Sequence, residues 1–251
     1  MSQLPVVYTP SFESEVAALA ADYRRANGPL MALVNRFGSG IEARFDLVPK
    51  PLRVQIERIV IVALMAAHGL AGRGEDGTVQ SPHGTTLAAI ATGAAGGSGG
   101  IVTSIAELPV TITVILRAIR AEAIKAGFDP TEPGVRAACL EVFAAGSPVQ
   151  ADDGVNTGFI STRLAITGPA LHQLIARIAP RFAAALGQKL AAQAVPVLGA
   201  VSGAVLNAAF LSYYREIARI RFALMRLAQN HGGEAAVTAF SRATTVKLVK
   251  G

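Results

Sequence analysis

The chain has 251 residues, of which 51% are apolar and 16% are charged, and its formal net charge is +6. Soluble domains carry about 25% charged residues, so either the surface is short of charge or the apolar interior is unusually large. The basic excess favours an anionic partner. Because the basic residues are not interleaved with aromatic residues and Trp is absent, an anionic membrane surface fits better than nucleic acid.

The cysteine count and the first ten residues indicate the compartment. Cys139 is the only cysteine, so no intrachain disulfide can form and a reducing compartment is expected. Residues 1–10 lack the basic region and apolar core of a secretory signal. We therefore expect a cytoplasmic protein.

Apolar residues at helical spacing dominate the first part of the chain. Gly and Pro mark the ends of these periodic stretches. We predict, in chain order, a helix from Ser11 to Gly28-Pro29, a short helix over 29–37, a helix from Pro49 and Pro51 to Gly69 and Gly72, and a polar loop over 72–84.

Two windows carry almost no charge. Residues 77–116 contain one charged side chain, Glu107, and residues 190–214 contain none. In the first window we predict helical pieces on both sides of residues 96–100. A further helix is expected from Pro109 to Ala126, because proline suits the first turn of a helix.

The second half of the chain is also predicted to be helical. Asp129-Pro130-Thr131-Glu132 is typical of a capped start, with Asp accepting from free amides, Pro at the first position and Glu reaching back. The remaining predictions are a helix from this cap to Phe143, a loop over 145–158, helices from Pro169 to Gly187 and from Pro196 to Leu227, and a helical tail after Gly233. The fold class is therefore all-α, a single-domain multi-helix bundle over residues 1–251.

The low-charge windows are rich in Gly and Ala, with glycines four residues apart at Gly96/Gly100 and Gly199/Gly203. On a helix this spacing lets another backbone approach closely. Three environments fit such segments: transmembrane helices, a soluble bundle with an apolar cavity or Gly/Ala-rich hairpin that meets lipid, or a dense core without ligand. We favour the soluble bundle, because Ala, Gly, Ser and Thr insert weakly into bilayers.

Short motifs give no support for catalysis or metal binding. Residues 96–100 satisfy a nucleophile-elbow pattern around Ser98, and residues 72–77 satisfy a dinucleotide fingerprint, but no strand is predicted before either. The four histidines lack metal-ligand spacing, and Asp152-Asp153 lacks the pattern of a calcium loop. We predict no enzyme activity, no catalytic residue, no metal and no cofactor.

The order of several small motifs resembles the EcsC protein family over roughly residues 25–231. The motifs are Gly93-Ala-Ala-Gly-Gly-Ser-Gly-Gly100, Glu107-Leu-Pro109, Arg117-Ala-Ile-Arg120, Gly127-Phe-Asp-Pro130, and Pro196 to Asn207 with Tyr213-Tyr214, Ala218 and Phe222 downstream. Glu107 stands where the family more often has Asp. The family is named for a bacterial protein encoded beside an ABC transporter, and its biochemical role is not established. The resemblance implies a helical fold and a membrane connection, and it supplies no catalytic residues.

These observations predict a non-catalytic protein that binds a lipid or other amphiphile and is peripheral at the inner face of the membrane. In this hypothesis glycines shape an apolar groove, prolines break helices at its ends, and arginines at its rim hold an anionic headgroup. The predicted lipid-binding residues are Gly96, Gly100, Pro109, Arg117, Arg120, Pro196, Gly199, Gly203, Asn207, Arg215 and Arg219. The alternatives are a protein-interaction subunit accessory to a membrane transporter of the ABC type and, more distantly, a serine hydrolase using Ser98.

Overall fold

A computed structural model describes residues 11–26, 50–71, 108–144, 172–180, 182–183 and 199–245. These residues are almost entirely helical and none of them lies in a strand. The predicted all-α bundle is therefore confirmed for this part of the chain. The predicted helix over 29–37, the break at 96–100 and both loops lie outside the described residues.

The helices begin and end close to the predicted positions. They are α1 (Phe12–Ala26), α2 (Lys50–Ala71), α3 (Leu108–Lys125), α4 (Pro133–Glu141), a 3-10 turn (Val142–Ala144), α5 (Gly199–His231) and α6 (Gly233–Thr245). Residues 172–180 and 182–183 are also helical, within the helix predicted from Pro169. Helix α3 contains Pro109 in its first turn, as expected for proline.

Helices α3 and α5 form the centre of the bundle. They make the most extensive contact between any two described helices, and α3 and residues 207–231 of α5 are buried around most of their circumference. Ile112 and Ile119 of α3 and Phe210, Tyr214 and Ile217 of α5 are fully buried in the main core. Each such side chain contributes about 1.5–3 kcal/mol by burial. Helices α2 and α4 pack against α3.

Helix α1 packs against both α5 and α6. Its N-terminus is capped by Ser11, whose Oγ accepts a hydrogen bond from the Ser14 amide at 3.3 Å. The Phe12 ring lies 4.8 Å from the His231 ring, while Asp22 forms an ion pair with Arg219. Helix α1 is therefore antiparallel to α5. It buries Val16, Leu19 and Ala20 in a second core cluster, as its periodicity predicts.

The predicted cap at Asp129 is wrong. Helix α4 begins at Pro133, with Glu132 as an N-cap residue that makes no side-chain cap hydrogen bond. The Asp129 carboxylate instead accepts from the amide and hydroxyl of Thr131, at 2.8 and 2.7 Å. Both Pro130 and Pro133 suit a first helical turn, and Asp129 stabilises the turn before the helix rather than the helix itself.

Gly127 ends α3 with a left-handed residue, at φ +85°. Its amide donates to Ile124 O at 2.9 Å, and the Phe128 amide donates to Ala123 O at 3.0 Å, which is the Schellman pattern. The Phe128 ring then packs 5.7 Å from the Phe222 ring. The turn therefore fixes the end of α3 against α5.

We expect Gly127→Ala to lower the free energy of unfolding by about 1–2 kcal/mol, because an L side chain is strained in the left-handed region. A Cβ there would meet Arg226 Nη1 at 3.6 Å, an ordinary contact, so the loss comes from the backbone. Gly134→Ala in α4 is the control, because nothing lies within 4 Å of its Cβ. That change gains up to about 1 kcal/mol of helix propensity. Equal urea midpoints for Gly127→Ala and wild type would contradict the expectation.

Candidate functional site

The described residues contain eight of the eleven predicted lipid-binding residues. Gly96, Gly100 and Pro196 lie outside them. Gly199 and Gly203 lie in the first two turns of α5. Asn207 is buried farther along that helix, and Pro109 is exposed at the start of α3.

The four predicted rim arginines have different environments. Arg117 is exposed, Arg120 is buried, and Arg215 and Arg219 are half-buried. Their proposed headgroup contacts stay a prediction. The differences in burial nevertheless distinguish arginines that can contact a membrane surface from arginines that lie inside the bundle.

Arg219 joins α5 to α1. Its Nε and Nη2 donate to the two carboxylate oxygens of Glu216, at 3.0 and 2.5 Å, and Nη2 also donates to Asp22. The hydrogen bond that Arg219 donates to Glu216 is the main cause that raises the pKa of Arg219 above its usual value. Burial raises the pKa of Asp22, but the hydrogen bonds and charges of Arg219 and, to a smaller extent, Arg25 outweigh it and hold this pKa below its usual value. Arg219 therefore has a role in helix packing.

A narrow exposed face on α3 combines apolar side chains with a positive charge. Val110 and Ile124 are 49% and 45% exposed, and Arg117 lies midway between them and is also exposed. The spacing of seven residues places all three on one face of the helix. We call Val110, Arg117 and Ile124 the α3 stripe.

Helix α2 repeats this combination. Val54 and Val62 are 54% and 61% exposed, with exposed Arg58 halfway between them. The opposite face buries Ile56, Val60, Ala63 and Leu64 in the main core. The two exposed valines are therefore not needed to pack α2 against the main core.

A second group of arginines lies inside the bundle. Arg120 of α3 and Arg221 of α5 are 8% and 2% exposed, and Arg136 of α4 is half-buried. Arg221 forms an ion pair with Glu141, at the end of α4. Together with Cys139 these residues form what we call the arginine cluster.

Burial and neighbouring charges shift the pKa values of three members of the arginine cluster. Burial, and secondly the charge of Arg120, lower the pKa of Arg136. Burial also lowers the pKa of Arg221, opposed by Glu141. Burial raises the pKa of the Cys139 thiol to about 12, although the charges of Arg120 and Arg221 act in the opposite direction. The thiol therefore lies within the field of two arginines.

Sequence reasoning identified Arg120 but missed Arg136 and Arg221. Arg221 stands between Ile220 and Phe222, both fully buried. The sequence did contain a signal for Arg221, namely an arginine at a position where the apolar pattern of the helix predicts a core residue. Its partner Glu141 is 80 residues away in the sequence, so no local sequence pattern indicates the pairing.

Within the part of the chain that is described, no group of three His, Cys, Asp or Glu side chains could hold a metal ion. In the same part, no helix combines the length and apolar character needed to cross a bilayer. Ser98 and His83 lie outside the described residues. His172 and His231 are exposed.

Comparison with known proteins gives one match. A model of the EcsC protein family matches residues 73–227, more than half of the chain. The match includes the α3 stripe and the arginine cluster. No curated protein and no solved structure matches the chain.

The Asp22–Arg219 pair predicts a pH-dependent stability. We expect Asp22→Asn to lower the free energy of unfolding by about 0.2–1 kcal/mol at neutral pH, the usual range for exposed ion pairs. Because the pKa of Asp22 is lower in the folded than in the unfolded chain, its contribution is complete above the ordinary value of 3.8 and is lost as pH falls through the folded value. Urea unfolding at neutral pH and at roughly pH 2–3 measures this.

Arg219→Gln and the double variant complete a double-mutant cycle that isolates the coupling between the two side chains. A loss for Asp22→Asn that is the same at both pH values would contradict the assignment.

Cys139 should be unreactive in the folded protein. The thiolate is the reactive form, and a pKa of about 12 against an ordinary 9.0 reduces the thiolate fraction at pH 8 about a thousandfold. We expect dithionitrobenzoate to label Cys139 at least that much more slowly in buffer than in denaturing urea. Comparable rates in the two solvents would show that the thiol is accessible and ionised.

Proposed function

The chain belongs to the EcsC protein family, and we propose that it binds a lipid or similar amphiphile at an anionic membrane surface without catalysing a reaction. The observation that carries this proposal is the α3 stripe, in which exposed Arg117 lies between exposed Val110 and Ile124. An anionic bilayer offers both negative headgroups and an apolar layer beneath them. A protein surface that combines positive charge with exposed apolar side chains matches both features of such a bilayer.

Helix α2 supports the same partner. Arg58 lies between Val54 and Val62 in the same alternation of cation and apolar side chain, and α2 packs directly against α3. Arginine can keep its guanidinium at the headgroup level while its stem lies along apolar neighbours. The net charge of +6 adds a general attraction to anionic lipid.

The alternative from sequence, an interaction subunit accessory to a membrane transporter, would use the same exposed apolar side chains against protein. The described residues favour lipid, because arginine accompanies the exposed valines on both helices. A protein partner with acidic residues at matching positions is the alternative, and the experiment below distinguishes it from lipid. The proposed location remains peripheral, at the inner face of the membrane.

Flotation with liposomes tests the proposal. We expect wild type to float with liposomes that contain phosphatidylglycerol and to float poorly with neutral phosphatidylcholine. Arg117→Gln should weaken partitioning about fivefold, since a basic residue at an anionic surface contributes about 1 kcal/mol. Replacing both Val110 and Ile124 by Ser should remove the part of the binding that persists at high salt, because salt screens charge but not buried apolar surface.

Arg242→Gln is the matched control. Arg242 is exposed on α6, a helix that packs against α1 and α5, and its loss changes net charge by the same amount. Equal losses for Arg117→Gln and Arg242→Gln would show that only net charge matters and that the α3 stripe is not the docking surface. If wild type floats with neither liposome and carries no extractable lipid, the membrane proposal fails and the transporter-partner alternative replaces it.

A further inference from the structure

The three residues of the α3 stripe follow a definite order along the helix. Val110, Arg117 and Ile124 are seven residues apart, so the stripe is about 21 Å long and its ends differ by only about 40° around the helix axis. The two ends are apolar and half exposed, and the cation lies at the midpoint. The stripe is therefore a nearly straight line of three contact points parallel to the axis of α3.

The cations of the exposed faces differ from the arginines that hold the bundle together. Arg219 and Arg221 form ion pairs that join α5 to α1 and to α4. Within the part of the chain that the structure describes, neither Arg58 nor Arg117 takes part in an ion pair. Their guanidinium groups are thus available to an anion from outside the protein.

The order of side chains distinguishes a membrane surface from a single bound lipid. A phospholipid carries its charge at one end, and its acyl chains extend away from that end, so a groove for one lipid would place the cation at one end of an apolar line. On α3 the cation lies between two apolar side chains, and Val54, Arg58 and Val62 repeat this order on α2. A line drawn along a bilayer surface meets headgroups throughout, with the apolar layer directly beneath them.

We infer that α3 docks on an anionic bilayer with its axis parallel to the membrane plane, so that Val110, Arg117 and Ile124 contact the bilayer together. This inference rests on the proposed function, and it adds the form of the partner, a bilayer rather than a single lipid, and the orientation of the helix. The apolar side chains enter the boundary between headgroups and acyl chains. Arg117 keeps its guanidinium at the level of the headgroups.

The C-terminal end of α3 offers a different orientation. Lys125 and Arg226 are exposed there, and Arg226 Nη1 donates a hydrogen bond to Ala126 O at 3.0 Å. A protein that docks through this end would use Ile124 with these two cations and would leave Val110 about 21 Å from the contact. The depth of Val110 relative to Ile124 therefore separates parallel docking from docking through the helix end.

Fluorescent labels on introduced cysteines measure these depths. Val110→Cys and Ile124→Cys are each labelled with a nitrobenzoxadiazole fluorophore, and Arg242→Cys on α6 is the matched control. The native Cys139 is buried, so it does not compete for the label. Far-ultraviolet circular dichroism checks that each labelled protein is folded.

With phosphatidylglycerol vesicles, we expect the emission of the labels at 110 and 124 to shift to the blue. Lipids brominated near the top of the acyl chain should quench both labels equally, and lipids brominated near the chain end should quench both less, because insertion at an interface is shallow. The label at 242 should report water throughout. Dihexanoyl-phosphatidylglycerol below its micelle concentration should leave all three spectra unchanged.

Unlabelled variants provide a second measurement. Val110→Ser and Ile124→Ser should each remove a similar share of the vesicle binding that persists at high salt, since salt does not screen buried apolar surface. Docking through the helix end would make Ile124→Ser costly and Val110→Ser neutral.

Two results would overturn the inference while leaving lipid binding intact. The first is a label at 124 that is quenched while the label at 110 stays in water. The second is a blue shift of either label with the monomeric short-chain lipid, which would identify a site for a single lipid. Failure of wild type to float with anionic vesicles is a different result, because it removes the proposed function itself.

Discussion

The contact between α3 and α5 is the interaction on which the rest of the described fold depends. Helices α2 and α4 pack against α3, helices α1 and α6 pack against α5, and the 3-10 turn after α4 packs against α5. Because α3 and residues 207–231 of α5 are buried around most of their circumference, few side chains in these two stretches reach solvent. The few exposed side chains and the buried charged side chains of these helices therefore say most about function, because the remaining side chains form the core.

Burying charged side chains between these helices costs free energy. The Arg221–Glu141 pair joins α5 to α4, and breaking one partner of a buried pair commonly costs about 3–5 kcal/mol because the other charge is left without compensation. A well-packed apolar pair of similar volume is often at least as stable. The Arg221–Glu141 pair therefore holds α4 against α5 without being evidence of a net gain in stability.

The sequence predicts the positions of the helices better than it predicts the burial of individual side chains. Ser11 and the spacing of Val16 and Leu19 define α1, because capping and periodicity are local. The cap at Asp129 failed since two prolines, at positions 130 and 133, satisfy the same local rule. Arg117 and Arg120 were given one role because they share a helix. Only tertiary packing, which buries Arg120 and leaves Arg117 exposed, separates them.

Helix α3 carries one arginine on the surface and one in the interior of the bundle. Arg117 and Arg120 are less than one turn apart, so any displacement of α3 moves the exposed stripe and the arginine cluster together. Protein interiors are close-packed and transmit such shifts rather than absorbing them. Attachment of the proposed docking surface, the α3 stripe, would therefore reach the buried side of α3 through the helix itself, and by linkage a change in the buried contacts that favours another position of α3 would alter that attachment.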